Sequence, residues 1–130
     1  MSDFSVYTAE QVVDWMSQGT VAAPPSNLYV TLFDSGGNEV DGAFANMRLE
    51  TSPSDWDVVG TSFENNVNLD FGEASEDVDG IVDVALFDDE TGGNEIARYQ
   101  INDTPKDIAA GTNAIYLIGE LSFDVRDRTQ

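Results

Sequence analysis

Asn27-Leu28-Tyr29-Val30-Thr31-Leu32-Phe33 is the stretch on which the fold turns. Upstream of it, apolar residues recur at a helical interval; from it onward they alternate. Leu28, Val30 and Leu32 fall on one side of an extended chain, and Tyr29, Thr31 and Phe33 on the other. Successive side chains of a strand point to opposite faces. Both sides here carry apolar or β-favouring residues, which predicts an interior strand.

Upstream, Thr8 and Gln11 fit a capping box. Ala9, Val12, Val13 and Met16 then lie at i, i+3, i+4 and i+7, one apolar side of a helix. Gly19 suits a helix stop, and Pro24-Pro25 forbids continuation. Trp15 sits beside the apolar side, placed to cover the edge of a sheet. A helix and arm are therefore expected over 1–25 and a β-sandwich over 26–130, together one globular unit.

Downstream, alternation predicts strands over Ala43–Glu50, Trp56–Val59, Ser62–Phe71, Gly80–Phe87, Glu95–Ile101 and Ala114–Val125. In the last, Ile115, Leu117, Gly119, Leu121 and Phe123 share one face, and Tyr116, Ile118, Glu120, Ser122 and Asp124 the other. Val67, Leu69 and Phe71 are read as inward on the strand before. Turn residues separate the strands: Ser35-Gly36-Gly37-Asn38, Ser52-Pro53-Ser54, Asp79-Gly80, Thr91-Gly92-Gly93-Asn94 and Gly111-Thr112-Asn113. Seven or eight short strands at this spacing predict an all-β, antiparallel sandwich, jelly-roll or Ig-like, behind a short N-terminal helix.

One near-repeat crosses this pattern. Val30-Thr31-Leu32-Phe33-Asp34, then Gly36-Gly37-Asn38-Glu39-Val40, matches Val84-Ala85-Leu86-Phe87-Asp88, then Gly92-Gly93-Asn94-Glu95-Ile96. The second copy carries two extra turn residues. Each reads as a strand, a glycine turn and an exit strand, a form on which unrelated hairpins also converge.

Charge describes the solvent rather than the task. Asp and Glu number 25 against 5 Lys and Arg, a net charge of −20 in 130 residues, with Lys106 the single lysine. Such like charge opposes compaction in ordinary buffer. In molar salt the Debye length falls to roughly 3 Å and the repulsion is screened. The acids are spread along the chain rather than blocked in a tail. The pattern predicts a protein for high intracellular salt, from a halophilic archaeon or one of its viruses. It also argues against nucleic acid or an anionic membrane as partner. No apolar run reaches the 18 or so residues of a membrane span. Met1-Ser2-Asp3-Phe4 lacks the basic and apolar regions of a secretory leader, so the chain is expected in the cytoplasm or released by lysis.

The chain has no histidine and no cysteine. That removes the commonest general base, the thiolate nucleophile and their metal sites. A Ser–Lys pair would have to use Lys106, which reads as an exposed loop residue. Carboxylate pairs are plentiful, but solvated surface acids account for them. Asp88, Asp89, Glu90 and Asn94 gather oxygen ligands on one turn and are the candidate for a weak cation site. They do not follow the EF-hand loop, because Gly92 stands where its fifth position needs Asp or Asn. Asn102-Asp103-Thr104 is a formal glycosylation sequon, followed at once by Pro105. Tyr7, Trp15, Tyr29, Trp56, Tyr99 and Tyr116 are the rings from which a sugar-binding face could be built. No cofactor is expected.

The order of these features resembles a family of small β-rich virion surface proteins of tailed phages, of capsid-decoration, turret or tail-fibre type. The likeness runs over about residues 8–125. It rests on the capped helix, Pro24 to Phe33, Met47-Arg48-Leu49, Trp56, Val67-Asn68-Leu69-Asp70-Phe71, Val84 to Asp88 with Gly92-Gly93-Asn94, and the late lysine. A Gly-Gly-Tyr-Ala-Arg-like stretch of the family is replaced here by Ala43 to Arg48. The resemblance implies a non-enzymatic structural protein on the outside of a tailed virus of a halophilic host, assembled in the host cytoplasm. A capsid decoration or vertex turret subunit is the first expectation, and a tail fibre, baseplate or receptor-binding subunit the second. A halophilic carbohydrate-binding module is the third. The implied partners are major capsid or tail proteins and further copies of the chain, as a trimer or pentamer. Val12, Trp15, Met16, Pro24 and Pro25 are the expected contact residues.

Overall fold

The computed structural model describes residues 4–20, 23–101 and 106–124. Helix α1 spans Val6–Gln18. The strands are β1 (Leu28–Asp34), β2 (Leu49–Thr51), β3 (Trp56–Val59), β4 (Ser62–Asn65), β5 (Leu69–Glu73), β6 (Val78–Phe87), β7 (Glu95–Gln100), β8 (Lys106–Ile108), β9 (Asn113–Tyr116) and β10 (Ser122–Asp124). All pairings between them are antiparallel. A large sheet runs β2-β1-β6-β7, with β8 continuing along β6 beyond β7. The facing layer is divided between a β10-β4-β3 sheet and a β5-β9 ribbon. The fold is thus the expected all-β, sandwich-like one behind an N-terminal helix.

The core lies between these layers. Val30, Leu32, Val84, Leu86 and Ala97 come from the large sheet and are buried. Leu69 and Phe71 come from the β5-β9 ribbon, and Trp56 and Phe123 from the third sheet. The Trp56 indole donates to Thr51 Oγ1 at 2.9 Å and packs edge-on against Phe63 and Phe123. Its polar edge is satisfied, so the ring can serve as core.

The N-cap of α1 lies three residues before the expected one. Ser5 is the N-cap, its hydroxyl accepting from Thr8 N at 3.1 Å. Thr8, expected as the cap, instead turns its hydroxyl onto Ile96 O at 2.8 Å. Gly19 does end the helix, at φ 70°, a conformation that costs glycine little. The helix start is clipped to the β7 edge by Ser5 N to Ile96 O (3.0 Å) and a bridge between Phe4 and Ala97.

Three strand readings are corrected. Ser62–Phe71 is two strands, β4 and β5, in different sheets, with Val67 on the exposed turn between them. Ala114–Val125 is likewise two, β9 and β10, parted by a turn in which Gly119 has φ 80°. One buried side chain causes both breaks. Asn65 Nδ2 donates to Val67 O (2.8 Å) and Leu117 O (2.9 Å), and Asn65 Oδ1 accepts from Leu121 N (3.0 Å). These bonds replace ladder partners and bind the two turns to each other. The buried face therefore changes between the two strands: Ile115 and, just past β9, Leu117 are exposed, while Ala114 and Tyr116 pack against the core. Of the five residues read as sharing one face, only Leu121 and Phe123 are buried. Over Ala43–Glu50 only Leu49 and Glu50 join a strand, β2. The rest is irregular, although Ala43, Phe44 and Arg48 are all buried there. Lys106, read as a loop residue, opens β8.

Candidate functional site

The near-repeat is a physical unit of the large sheet. Strands β1 and β6 are neighbours, and their register sets Thr31 opposite Ala85, Val30 opposite Leu86 and Leu32 opposite Val84. Thr31 and Ala85 are the corresponding residues of the two copies, so a local twofold axis passes between them. The two turns close in the same way. Asp34 Oδ1 accepts from Gly36 N (2.9 Å) and Asn38 N (3.0 Å), and Asp34 N donates to Asn38 O (2.9 Å). Asp88 Oδ1 accepts from Asn94 N (2.7 Å), and Asp88 N donates to Asn94 O (3.1 Å).

On the face away from the core the two copies exchange arginines. Arg98 lies 4.0 Å over the Phe33 ring and Arg48 lies 3.9 Å over Phe87, while the two rings stack with centroids 6.3 Å apart. Arg48 pairs with both oxygens of Glu39, at 2.7 and 3.0 Å. Arg98 pairs with Glu95 and with Asp83. Burial alone would raise the Glu39 carboxyl. Hydrogen bonds from Arg48 and Thr31 and the charges of both arginines outweigh it, and the group sits below its ordinary 4.5. Arg98 loses some proton affinity to burial but gains more from Glu95 and Asp83, so it is held more firmly charged than usual. These two arginines make all three ion pairs among the described residues.

In the candidate cation turn, donors of the turn itself and of Arg48 take up oxygens of Asp88, Asp89 and Gly92. Asp88 also accepts from Asn94 Nδ2 (3.0 Å), and Asp89 Oδ1 accepts from Glu90 N (2.7 Å). Arg48 Nη1 donates to the carbonyls of Asp89 and Gly92, both at 2.8 Å. The guanidinium thus takes the carbonyl oxygens that a metal would need. Among the described residues no cluster of three or more acidic groups could hold a metal ion. The sequon at Asn102 lies outside the described residues.

Helix α1 rests on the sheet through its polar side. Tyr7, Thr8, Gln11 and Asp14 are half-buried, whereas Val12, Val13, Trp15 and Met16 are exposed, Trp15 at 62 % and Met16 at 67 %. Trp15 therefore does not cover the sheet edge. Pro24 is exposed and Pro25 half-buried on the arm that follows. The expected contact residues are thus brought onto one helix side and its arm, open to solvent in this single chain. No helix among the described residues is long and apolar enough to cross a membrane.

The rings expected to form a sugar face are dispersed. Trp56 is core, Trp15 is on α1, and the Tyr29 hydroxyl donates to Glu50 at 3.3 Å. Tyr99 and Tyr116 do meet, across a cleft between β7 and β9. Burial pushes the Tyr116 hydroxyl up to about 12, with smaller contributions from Tyr99 and Glu120. This cleft was not legible in the sequence, because it depends on the break between β9 and β10.

No curated protein matches the chain. A sequence-family model described as podophage GP4 fiber I protein gp80 matches residues 3–124, from the N-cap region through the end of β10. That description is of a phage fibre protein, and it accords better with the tail expectation than with capsid decoration or a turret. The chain belongs to the podophage GP4 fiber I protein gp80 family, a family of phage virion proteins of fibre type.

Proposed function

We propose that this chain is a non-enzymatic structural subunit of a tail fibre in a virus of a halophilic host. The family match over residues 3–124 carries the tail assignment. The absence of histidine and cysteine and the hydrogen-bonded acidic turn support a structural rather than a catalytic task. The subunit attaches through the exposed side of α1, with Trp15 as anchor between Val12 and Met16 and the Pro24-Pro25 arm beside them. Aromatic anchors at the centre of a contact dominate its energy. Its partners are a neighbouring tail protein and further copies of the chain. Disrupting purified virions and separating heads from tails tests the reading: the chain should travel with the tails, and recovery with the heads would refute it. Trp15→Ala should weaken attachment by about 2 kcal/mol or more, while unchanged assembly would remove α1 from the contact.

The host assignment rests on charge. At −20 the chain should lose its folded circular-dichroism signal as salt falls toward physiological levels, where the Debye length grows to about 8 Å. Full structure in dilute buffer would contradict it.

A further inference from the structure

We propose that the cleft between β7–β8 and β9 binds a neutral sugar of mono- or disaccharide size. Its volume is about 420 Å³, within the roughly 300–1,000 Å³ of small-molecule sites. Buried Leu32, Phe71 and Ile81 give it an apolar floor, and Tyr99 of β7 and Tyr116 of β9 both line it. Lys106, Asp107, Asn113 and Glu120 supply polar groups around them. A sugar ring has the same division: an apolar C–H face that packs on an aromatic ring, and a rim of hydroxyls that need donors and acceptors.

The polar groups are held in place and still have capacity. Asp107 Oδ1 accepts from Gly80 N at 2.8 Å, and Glu120 Oε1 accepts from Leu117 N at 2.6 Å. Each carboxylate is anchored on backbone through one oxygen, and the other has no hydrogen bond among the described residues. Neither tyrosine hydroxyl has a hydrogen-bond partner among the described residues either. Among the described residues every buried side-chain polar atom has a partner, so these hydroxyls meet solvent. Groups anchored before binding lose little freedom when a ligand arrives. Two carboxylates and a protein charge of −20 repel phosphates and acidic sugars, which selects a neutral ligand. The phenol of Tyr116 stays protonated throughout the working pH range and can donate.

The site stands on the cleft alone. Failure of the tail location would leave it intact, and failure of sugar binding would leave the tail location intact. Saturation-transfer NMR on the full chain in molar KCl tests it, with methyl glucoside, methyl mannoside, methyl galactoside and N-acetylglucosamine as probes. At least one should receive saturation on its ring protons. Tyr99→Phe and Tyr116→Phe keep the rings and the fold, and each should weaken that probe about 2- to 10-fold, the effect of one hydrogen bond. Val58→Ala, exposed on β3 and outside the cleft lining, should leave it unchanged. No saturation in any of the four sugars, or binding indifferent to both Tyr→Phe variants, would overturn the proposal.

Discussion

The Asp34 and Asp88 hairpins use the same residues in the same order, but only one of them closes unaided. From Asp34 to Asn38 the turn is short, and Asp34 satisfies it through its own carboxylate and backbone. From Asp88 to Asn94 there are two more residues, and the carbonyls of Asp89 and Gly92 are left over. Arg48, following the first copy, supplies their donors at 2.8 Å. Arg98, its counterpart, pairs with Glu95 and Asp83 and stacks on Phe33, and no hydrogen bond joins it to the first turn. The side chain of Arg48 is accordingly 4 % exposed and that of Arg98 33 %. Extra turn length creates unpaired backbone, and an arginine from the neighbouring hairpin is one way to pair it.

The largest effect should come from Arg48→Met. It strands the half-buried Glu39 carboxylate and two carbonyls, and should cost about 3–5 kcal/mol in denaturant unfolding at high salt. A loss near zero would mean that the second turn holds itself. Next, Asp34→Ala and Asp88→Ala should each cost about 1–2 kcal/mol. The Asp88 loss should shrink when Arg48→Met is already present, because both act on one turn, while the Asp34 loss should add independently. Equal additivity of the two would erase the asymmetry. Arg98→Met should cost least, about 0.5–1 kcal/mol, since its pairs are partly solvated. A greater cost than for Arg48→Met would reverse the comparison.

Acid titration sharpens the same contrast. In the folded chain Glu39 lies below its ordinary 4.5, so the unfolded chain binds that proton more readily. The stability it contributes is fully present above 4.5 and is lost as pH falls through the depressed folded value. In Arg48→Met, burial remains and the main charge partner is gone, so the Glu39 contribution shrinks. Melting temperatures of the two proteins should converge as pH drops below 4.5. A constant gap would mean that Arg48 does not set the Glu39 titration.

Periodic signals carried well from sequence to fold. The alternation through Leu28 and Phe33 gave an interior strand between β2 and β6, and Gly19 ended the helix where it was expected. What failed depended on a polar group acting at long range. Asn65 reads as an ordinary strand residue until Leu117 and Leu121 are placed beside it, 52 and 56 residues away. Without it, β4 with β5 and β9 with β10 look continuous, and the change of buried face between β9 and β10 is missed. The N-cap was misplaced for a similar reason: Thr8 is claimed by Ile96 O, leaving Ser5 to cap. The apolar side of α1 was legible from spacing, though its being turned away from the sheet was not, because clips at Phe4, Ser5 and Thr8 set that orientation.

Immunogold electron microscopy of intact purified virions, with antibody raised against this chain, tests the fibre assignment most directly. Gold along tail-attached fibres is the expected result. Gold over the capsid heads with tails unlabelled would contradict it.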